Sequence, residues 1–204
     1  MEKLQISDIK RNQIYREVKK ISSSRDIYFP DHVKPVAENC LLYATHLSLK
    51  DKTIDPVVCE LGGLLHDVGY SNLFESDEKD HIKKGIIIAP DILEDIGVFG
   101  VYAEQIIDTI WTHDGNLNRS RYNLTPTNNI IVNDVDAMHL FDWNLGSLFK
   151  FSLRLKPNRP IDEVAKGLME HVEQTIKYIS MPFFRDLATP KYNARMRELE
   201  TFIK

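Results

Sequence analysis

The sequence predicts an all-α protein built as a single helical bundle. Apolar residues recur every three or four positions through most of the chain, which is the period of a helix with one buried face. Alternating strand patterns of any length are absent, because Ile86-Ile87-Ile88 and Ile130-Ile131-Val132 are short and sit inside helical periods. There is no repeat, low-complexity tract or Gly/Ser linker, so residues 1–204 read as one domain.

Taken in order, segments 8–21 and 32–49 read as helices, the second with Val33, Val36, Ala37, Cys40, Leu41, Ala44 and Leu47 on one face. Asp31 is its expected cap, Pro35 is still in its first turn, and His32 lies at its very start. The next helix, 55–68, has a cap and first residue in Asp55-Pro56 and an expected stop in Gly69. Gly62-Gly63 sit in its middle, each costing about 1 kcal/mol against alanine, which predicts a close neighbour there. After a polar loop come a helix near 78–88, with His81 and Gly85 one turn apart, and a short one restarted by Pro90 and ended by Gly97. Residues 99–113 follow, with Ala103, Ile106, Ile107 and Ile110 inward and His113 at the end. A loop over 114–124 carries Arg119 and Arg121, and Thr125-Pro126 opens a helix to about 140 that holds Asp134 and Asp136. The last third reads as helices at 144–155, 161–180 and 190–203, the final one started by Thr189-Pro190.

Bulk composition narrows the function classes. With 43% hydrophobic and 27% charged residues the chain is an ordinary globular protein, and 204 residues suffice for one well-buried domain. A net charge of −4 and the lack of a basic run argue against nucleic acid or an anionic membrane as partner. Cys40 and Cys59 fall on apolar helical faces and read as small core residues in a reducing compartment. The first residues have no apolar signal core and no stretch approaches 18 uninterrupted apolar residues, so the expected location is the cytoplasm.

Chemistry concentrates at Leu64-Leu65-His66-Asp67-Val68-Gly69-Tyr70. A histidine followed by an aspartate at the end of an apolar run, about 100° apart on the last helical turn, can grip one metal ion or help hold two. Alone, the pair is equally well read as a satisfied, partly buried His-Asp pair. The remaining histidines weigh against that reading. Of seven, those at 32, 66, 81 and 113 sit at helix ends or beside glycines, and Asp67 and Asp136 mark similar landmarks. Imidazole with carboxylate suits Mn, Fe, Ni, Co or Zn, whereas an all-oxygen set suits Mg or Ca. No thiolate is near, which speaks against a structural zinc site.

His32, then His66-Asp67, then Asp136 resembles the HD-domain metal-dependent phosphohydrolase superfamily, whose motif is a His, an adjacent His-Asp and a later Asp. Leu65-His66-Asp67-Val68-Gly69 is similar to the family's signature run, and Asn133-Asp134-Val135-Asp136-Ala137-Met138 to its closing Asp-Ala-Asp-Arg-Leu segment. His81-Ile82-Lys83-Lys84-Gly85 resembles the His-x-x-x-Gly of two-metal members, and His113-Asp114-Gly115 their second added histidine. The motifs span 30 to 140, and Ala188 to Arg195 resembles the last helix of small stand-alone HD hydrolases. Val135, and Ala137-Met138 in place of Arg-Leu, depart from the pattern and remove an arginine that could pair locally or touch substrate.

The resemblance implies a bundle holding one divalent metal through His32, His66, Asp67 and Asp136. Asp67 then bridges to a second held by His81 and His113, and a metal-activated water attacks phosphorus. Arg119 and Arg121 could clamp the phosphate, their forks matching its geometry, although two loop arginines are more often simply solvated. Asp114 and Asp134 could orient a ligand imidazole, with surface charge an equal reading of Asp134. His46, His139 and His171 read as helix-face or surface histidines, Lys83 and Lys84 as solvated, and Trp111, Tyr122 and Trp143 as core or rim aromatics.

The expectation is therefore a cytoplasmic metal-dependent phosphohydrolase acting on a small phosphate ester of the nucleotide kind. Two rivals share the same residues. One is an HD-type mixed-valent diiron oxygenase, which would show the resonance signal of an iron pair and consume oxygen. The other is a non-catalytic nucleotide-binding regulatory module, which would bind without forming product.

Overall fold

The computed structural model describes residues 2–21, 28–70, 81–113, 126–155 and 158–203, and every regular element among them is helical. In chain order these are α1 (Asp8–Ile21), a π-helical turn (Phe29–Val33) continuous with α2 (Lys34–Leu47), α3 (Pro56–Leu65), α4 (His81–Asp95), α5 (Gly100–Thr112), α6 (Pro126–Asp142), α7 (Leu145–Leu155), α8 (Ile161–Tyr178) and α9 (Pro182–Glu200). None is long and apolar enough to cross a membrane among the described residues. The chain forms two compact units, residues 1–133 and 134–204, with the boundary inside α6.

In the first unit α3 is the central element, packed on α2 and α5, with α1 against α3 and α4. Its sequence explains its position. Val58, Cys59, Leu61, Leu64 and Leu65 are all fully buried, so the helix is apolar around most of its circumference and must be enclosed. The Gly62-Gly63 pair is where its neighbours come closest. A Cβ at Gly62 would overlap Thr109 Oγ1 of α5, and one at Gly63 would stand 2.8 Å from Cys40 Sγ of α2. The glycines thus let α2 and α5 approach the α3 backbone from two sides.

Asp55 caps α3, as its sequence predicts. Its Oδ1 accepts from the N–H groups of Val57 (3.0 Å) and Val58 (3.2 Å), its Oδ2 accepts from Leu4 (2.6 Å), and its own N–H donates to Asn128 Oδ1 (3.1 Å). The one charged side chain on α3, the buried Glu60, accepts both contacts of Arg11 Nε (2.9 and 3.1 Å) and the Tyr15 hydroxyl (3.3 Å), which fastens α1. Burial still pushes the Glu60 carboxyl above its ordinary range. Cys40 and Cys59 are both buried and form no disulfide, and burial raises the Cys59 thiol well above its usual value.

Several boundaries differ from the sequence expectation, each for a local reason. The second helix begins a turn early, through the π-helical turn with Pro30 near its start, so Asp31 lies inside the helical run and is not its cap. The third ends at Leu65, with His66 as its C-cap, and Gly69 does not take a left-handed conformation. Pro90 does not restart a helix: α4 runs through it to Asp95, and Gly97, with φ of +74°, makes the turn that follows. In the second unit α9 likewise starts at Pro182 and carries Pro190 in its interior. Pro90 and Pro190 are thus accommodated inside helices although each removes a backbone N–H donor.

The second unit holds the end of α6 with α7, α8 and α9. Asp134 is fully buried and accepts from the N–H groups of Ser180 (2.9 Å) and Met181 (2.7 Å), the residues that lead into α9. This corrects the surface-charge reading of Asp134. Met181 has no side-chain oxygen to cap α9, and Asp134 supplies one from a distance of 47 residues. Arg195, buried on α9, donates through Nη2 to the carbonyls of Phe141 (3.1 Å) and Trp143, closing the end of α6. Trp143 is buried beside Phe151, as expected of a core aromatic, while Trp111 is half-buried.

Asp55→Ala removes the acceptor of three backbone N–H groups. It is expected to cost about 1–2 kcal/mol in urea unfolding, with α3 retained; an unchanged midpoint would contradict this account of the cap.

Candidate metal centre

Four element ends converge in the first unit. His32 projects from the π-helical turn, His66 is the C-cap of α3 with Asp67 in the turn beyond it, His81 is the first residue of α4, and His113 is the C-cap of α5. Ends rather than middles meet because a helix end leaves the chain free to turn away and the side chain free to point along the axis. Two glycines allow the convergence. A Cβ at Gly69 would fall on the His81 carbonyl oxygen and on Gly85 N, and one at Gly85 would lie 3.5 Å from Gly69 N. The first turn of α4 therefore lies directly on the 66–69 turn, which brings His81 to Asp67.

All five side chains are nearly excluded from water, from 0% exposed for His66 to 7% for His32 and Asp67. The Asp67 carboxylate is divided between two pairs of imidazoles. Its Oδ2 lies 3.1 Å from His66 Nε2 and 3.4 Å from His32 Nε2, and those two nitrogens are 3.2 Å apart. Its Oδ1 lies 3.4 Å from His113 Nε2 and 3.5 Å from His81 Nε2, and those nitrogens are 3.0 Å apart. His32, His66 and Asp67 form one group able to hold an ion, and Asp67, His81 and His113 a second.

Ring tautomers follow from the backbone. His66 Nδ1 is 2.7 Å from the Gly63 carbonyl and His113 Nδ1 is 2.6 Å from the Ile110 carbonyl. A carbonyl only accepts, so each Nδ1 carries the proton and each Nε2 presents its lone pair to the cluster. Such backbone anchoring is how metal-binding imidazoles are commonly oriented. Lone pairs crowded 3.0–3.5 Å from one another and from a carboxylate repel unless a cation lies among them. With metal–ligand bonds of about 2.1 Å, neighbouring donors in a tetrahedral or octahedral shell stand about 3.0–3.4 Å apart. The donor set fits a divalent metal in each group.

Burial alone would raise the Asp67 carboxyl. With protons on the Nε2 atoms in place of a metal, the positive charge on His66 and hydrogen bonds from His113, His32 and His66 outweigh it and hold the group well below the ordinary carboxylate range. Two tyrosines that the motif reading missed complete this wall. The Tyr28 hydroxyl donates to Asp67 Oδ2, and its ring is 5.0 Å from that of His32. Tyr70 stacks on His81 at 4.0 Å, with planes 8° apart. Tyr70 follows directly on His66-Asp67-Val68-Gly69 and was visible in sequence. Tyr28 had no signal beyond lying one turn before His32.

Asp136 lies half-buried on α6, in the second unit. Arg119, Arg121, Asp114 and Tyr122 fall outside the described residues. His46 and His171 are exposed, as expected of surface histidines, and His139 is buried on α6. Lys83 is exposed and Lys84 half-buried.

The profile of the HD domain matches residues 31–140, more than half of the chain and the stretch that contains all five clustered side chains. The chain belongs to the HD domain family. Members of that family are largely metal-dependent phosphohydrolases. No curated protein and no solved structure matches the chain.

The depressed Asp67 carboxyl sets an acid limit. Its stabilising contribution is fully present above the unfolded value of about 3.9 and is lost as pH falls toward the lower folded value. In chelator, the urea midpoint should drop on acidification below about pH 4, and less steeply in Asp67→Asn. Parallel profiles for the two proteins would contradict the assignment.

Proposed function

We propose that the protein is a cytoplasmic metal-dependent phosphohydrolase that cleaves a small phosphate ester of the nucleotide kind. One observation carries the reading: a buried carboxylate whose two oxygens face two separate imidazole pairs. This bridging arrangement supports two ions rather than one, with Mn, Fe, Ni, Co or Zn suited to the mixed nitrogen and oxygen donors. Divalent metal bound there supplies Lewis acidity and a water that ionises near neutral pH.

The chain's own residues hold and orient that chemistry. His66 and His113 present Nε2 because the Gly63 and Ile110 carbonyls hold their Nδ1 protons. Tyr28 fixes the Asp67 carboxylate plane through Oδ2. Near-complete burial lowers the local dielectric and strengthens each charge interaction with a developing phosphoryl charge. On sequence grounds, Asp136 is proposed as a further ligand beside His32 and His66, and Arg119 and Arg121 as phosphate contacts. A buried, disulfide-free cysteine pair supports a reducing compartment.

Hydrolysis of a panel of nucleotides and simple phosphate esters, with Mn, Fe, Ni, Co or Zn added in turn, tests the proposal. His66→Ala should reduce phosphate release by more than about 100-fold. Activity retained in that variant would overturn the reading, as would oxygen uptake by an iron-loaded protein that releases no phosphate. Asp136→Asn should weaken metal retention as well as turnover; unaltered metal content would remove Asp136 from the ligand set.

A further inference from the structure

A concave surface apart from the histidine cluster lies on the first unit, between α1 and the start of α2. It has a volume of about 660 Å³ and is lined by Ile9, Asn12, Tyr15, Arg16, Lys19, Phe29 and Lys34. None of the clustered histidines nor Asp67 lines it. Its volume falls within the range of pockets that hold a drug-sized ligand.

The lining divides by chemistry. Tyr15 and Phe29 make an apolar floor with the exposed Ile9 at its rim, and the Tyr15 ring is fixed there because its hydroxyl is bonded to Glu60 (3.3 Å). Arg16, Lys19 and Lys34 supply three cations, and among the described residues no carboxylate lines the groove, in a chain whose net charge is −4. Arg16 spends only its Nε–H, on the Asn12 carbonyl (3.2 Å), which leaves both terminal nitrogens of its fork. Among the described residues no acidic group pairs with Arg16 or Lys19, whereas neighbouring cations on the same helix do pair, Arg11 with Asp8 and Glu60 and Lys20 with Glu17. Lys34 reaches Glu38 at 3.6 Å across an exposed helix turn, a contact weak enough to be exchanged for a stronger anion.

We propose that this groove is a binding site for a soluble polyphosphate ester carrying an aromatic ring, chemically a nucleoside di- or triphosphate, distinct from the metal centre. The ring lies on the apolar floor, where the half-buried Tyr15 offers a stacking face and the buried Phe29 an edge. The phosphates meet the Arg16 fork and the Lys19 and Lys34 ammonium groups. Phe29 belongs to the same π-helical turn as His32, so a ligand in the groove touches the element that carries one of the metal-centre histidines. The proposal does not depend on what the metal centre hydrolyses.

Calorimetric titration of the full chain with adenylyl imidodiphosphate, whose terminal bridge resists hydrolysis, tests it. Inorganic tripolyphosphate is run beside it, and both are repeated with Asp67→Asn. Saturable binding of the nucleotide should persist in Asp67→Asn. It should weaken by at least about tenfold in the exposed double variant Arg16→Ala/Lys19→Ala, and weaken again as salt is raised. Absence of saturable binding, full affinity in Arg16→Ala/Lys19→Ala, or loss in Asp67→Asn alone would each overturn the site. Tripolyphosphate binding as tightly as the nucleotide would overturn the assignment of the apolar floor to a ring.

Discussion

Everything in the first unit is arranged around one buried carboxylate. An ionised aspartate with 7% exposure is stable only if its surroundings repay the lost hydration. Four imidazoles surround Asp67, His32 and His66 on one oxygen and His81 and His113 on the other. With neutral imidazoles the cluster carries a single negative charge and an excess of lone pairs, a combination that favours cations over any internal pairing. The same feature that makes the cluster costly without a cation makes it able to hold a metal.

The fold supplies this geometry by bringing backbones close together. Gly62 and Gly63 let α5 and α2 lie against α3, and Gly69 and Gly85 let the start of α4 lie on the turn that follows α3. Any side chain at Gly69 would drive the His81 carbonyl away and His81 with it. The π-helical turn plays the equivalent part for His32, since wide turns of this kind shift a side chain's direction within an otherwise regular helix and recur at functional sites.

How much of this was legible in the sequence divides along physical lines. The helical class follows from the 3.6-residue period, and the α3 cap from Asp55-Pro56, because both are local. The gathering of His32, His66, His81 and His113 was indicated only by resemblance, since no spacing rule relates helix ends that are tens of residues apart. Pro90 and Pro190 misled the boundary reading, because packing around a helix can sustain it through a proline that an isolated segment would not tolerate. Asp134 reads equally as an orienting partner or a surface charge in sequence, because its role depends on Ser180 and Met181, which lie 46 and 47 residues away. Tyr28 was invisible for the same reason: its significance lies in a contact with Asp67, 39 residues on.

Metal content per chain is the most direct test of the shared carboxylate. Elemental analysis of protein purified without chelator and then loaded with Mn or Fe should find about two equivalents per chain, as expected of a bridged two-metal site. The double variant His81→Ala/His113→Ala should keep one equivalent, and Asp67→Ala should lose both. A single equivalent in the wild-type protein, or two retained without Asp67, would contradict the account.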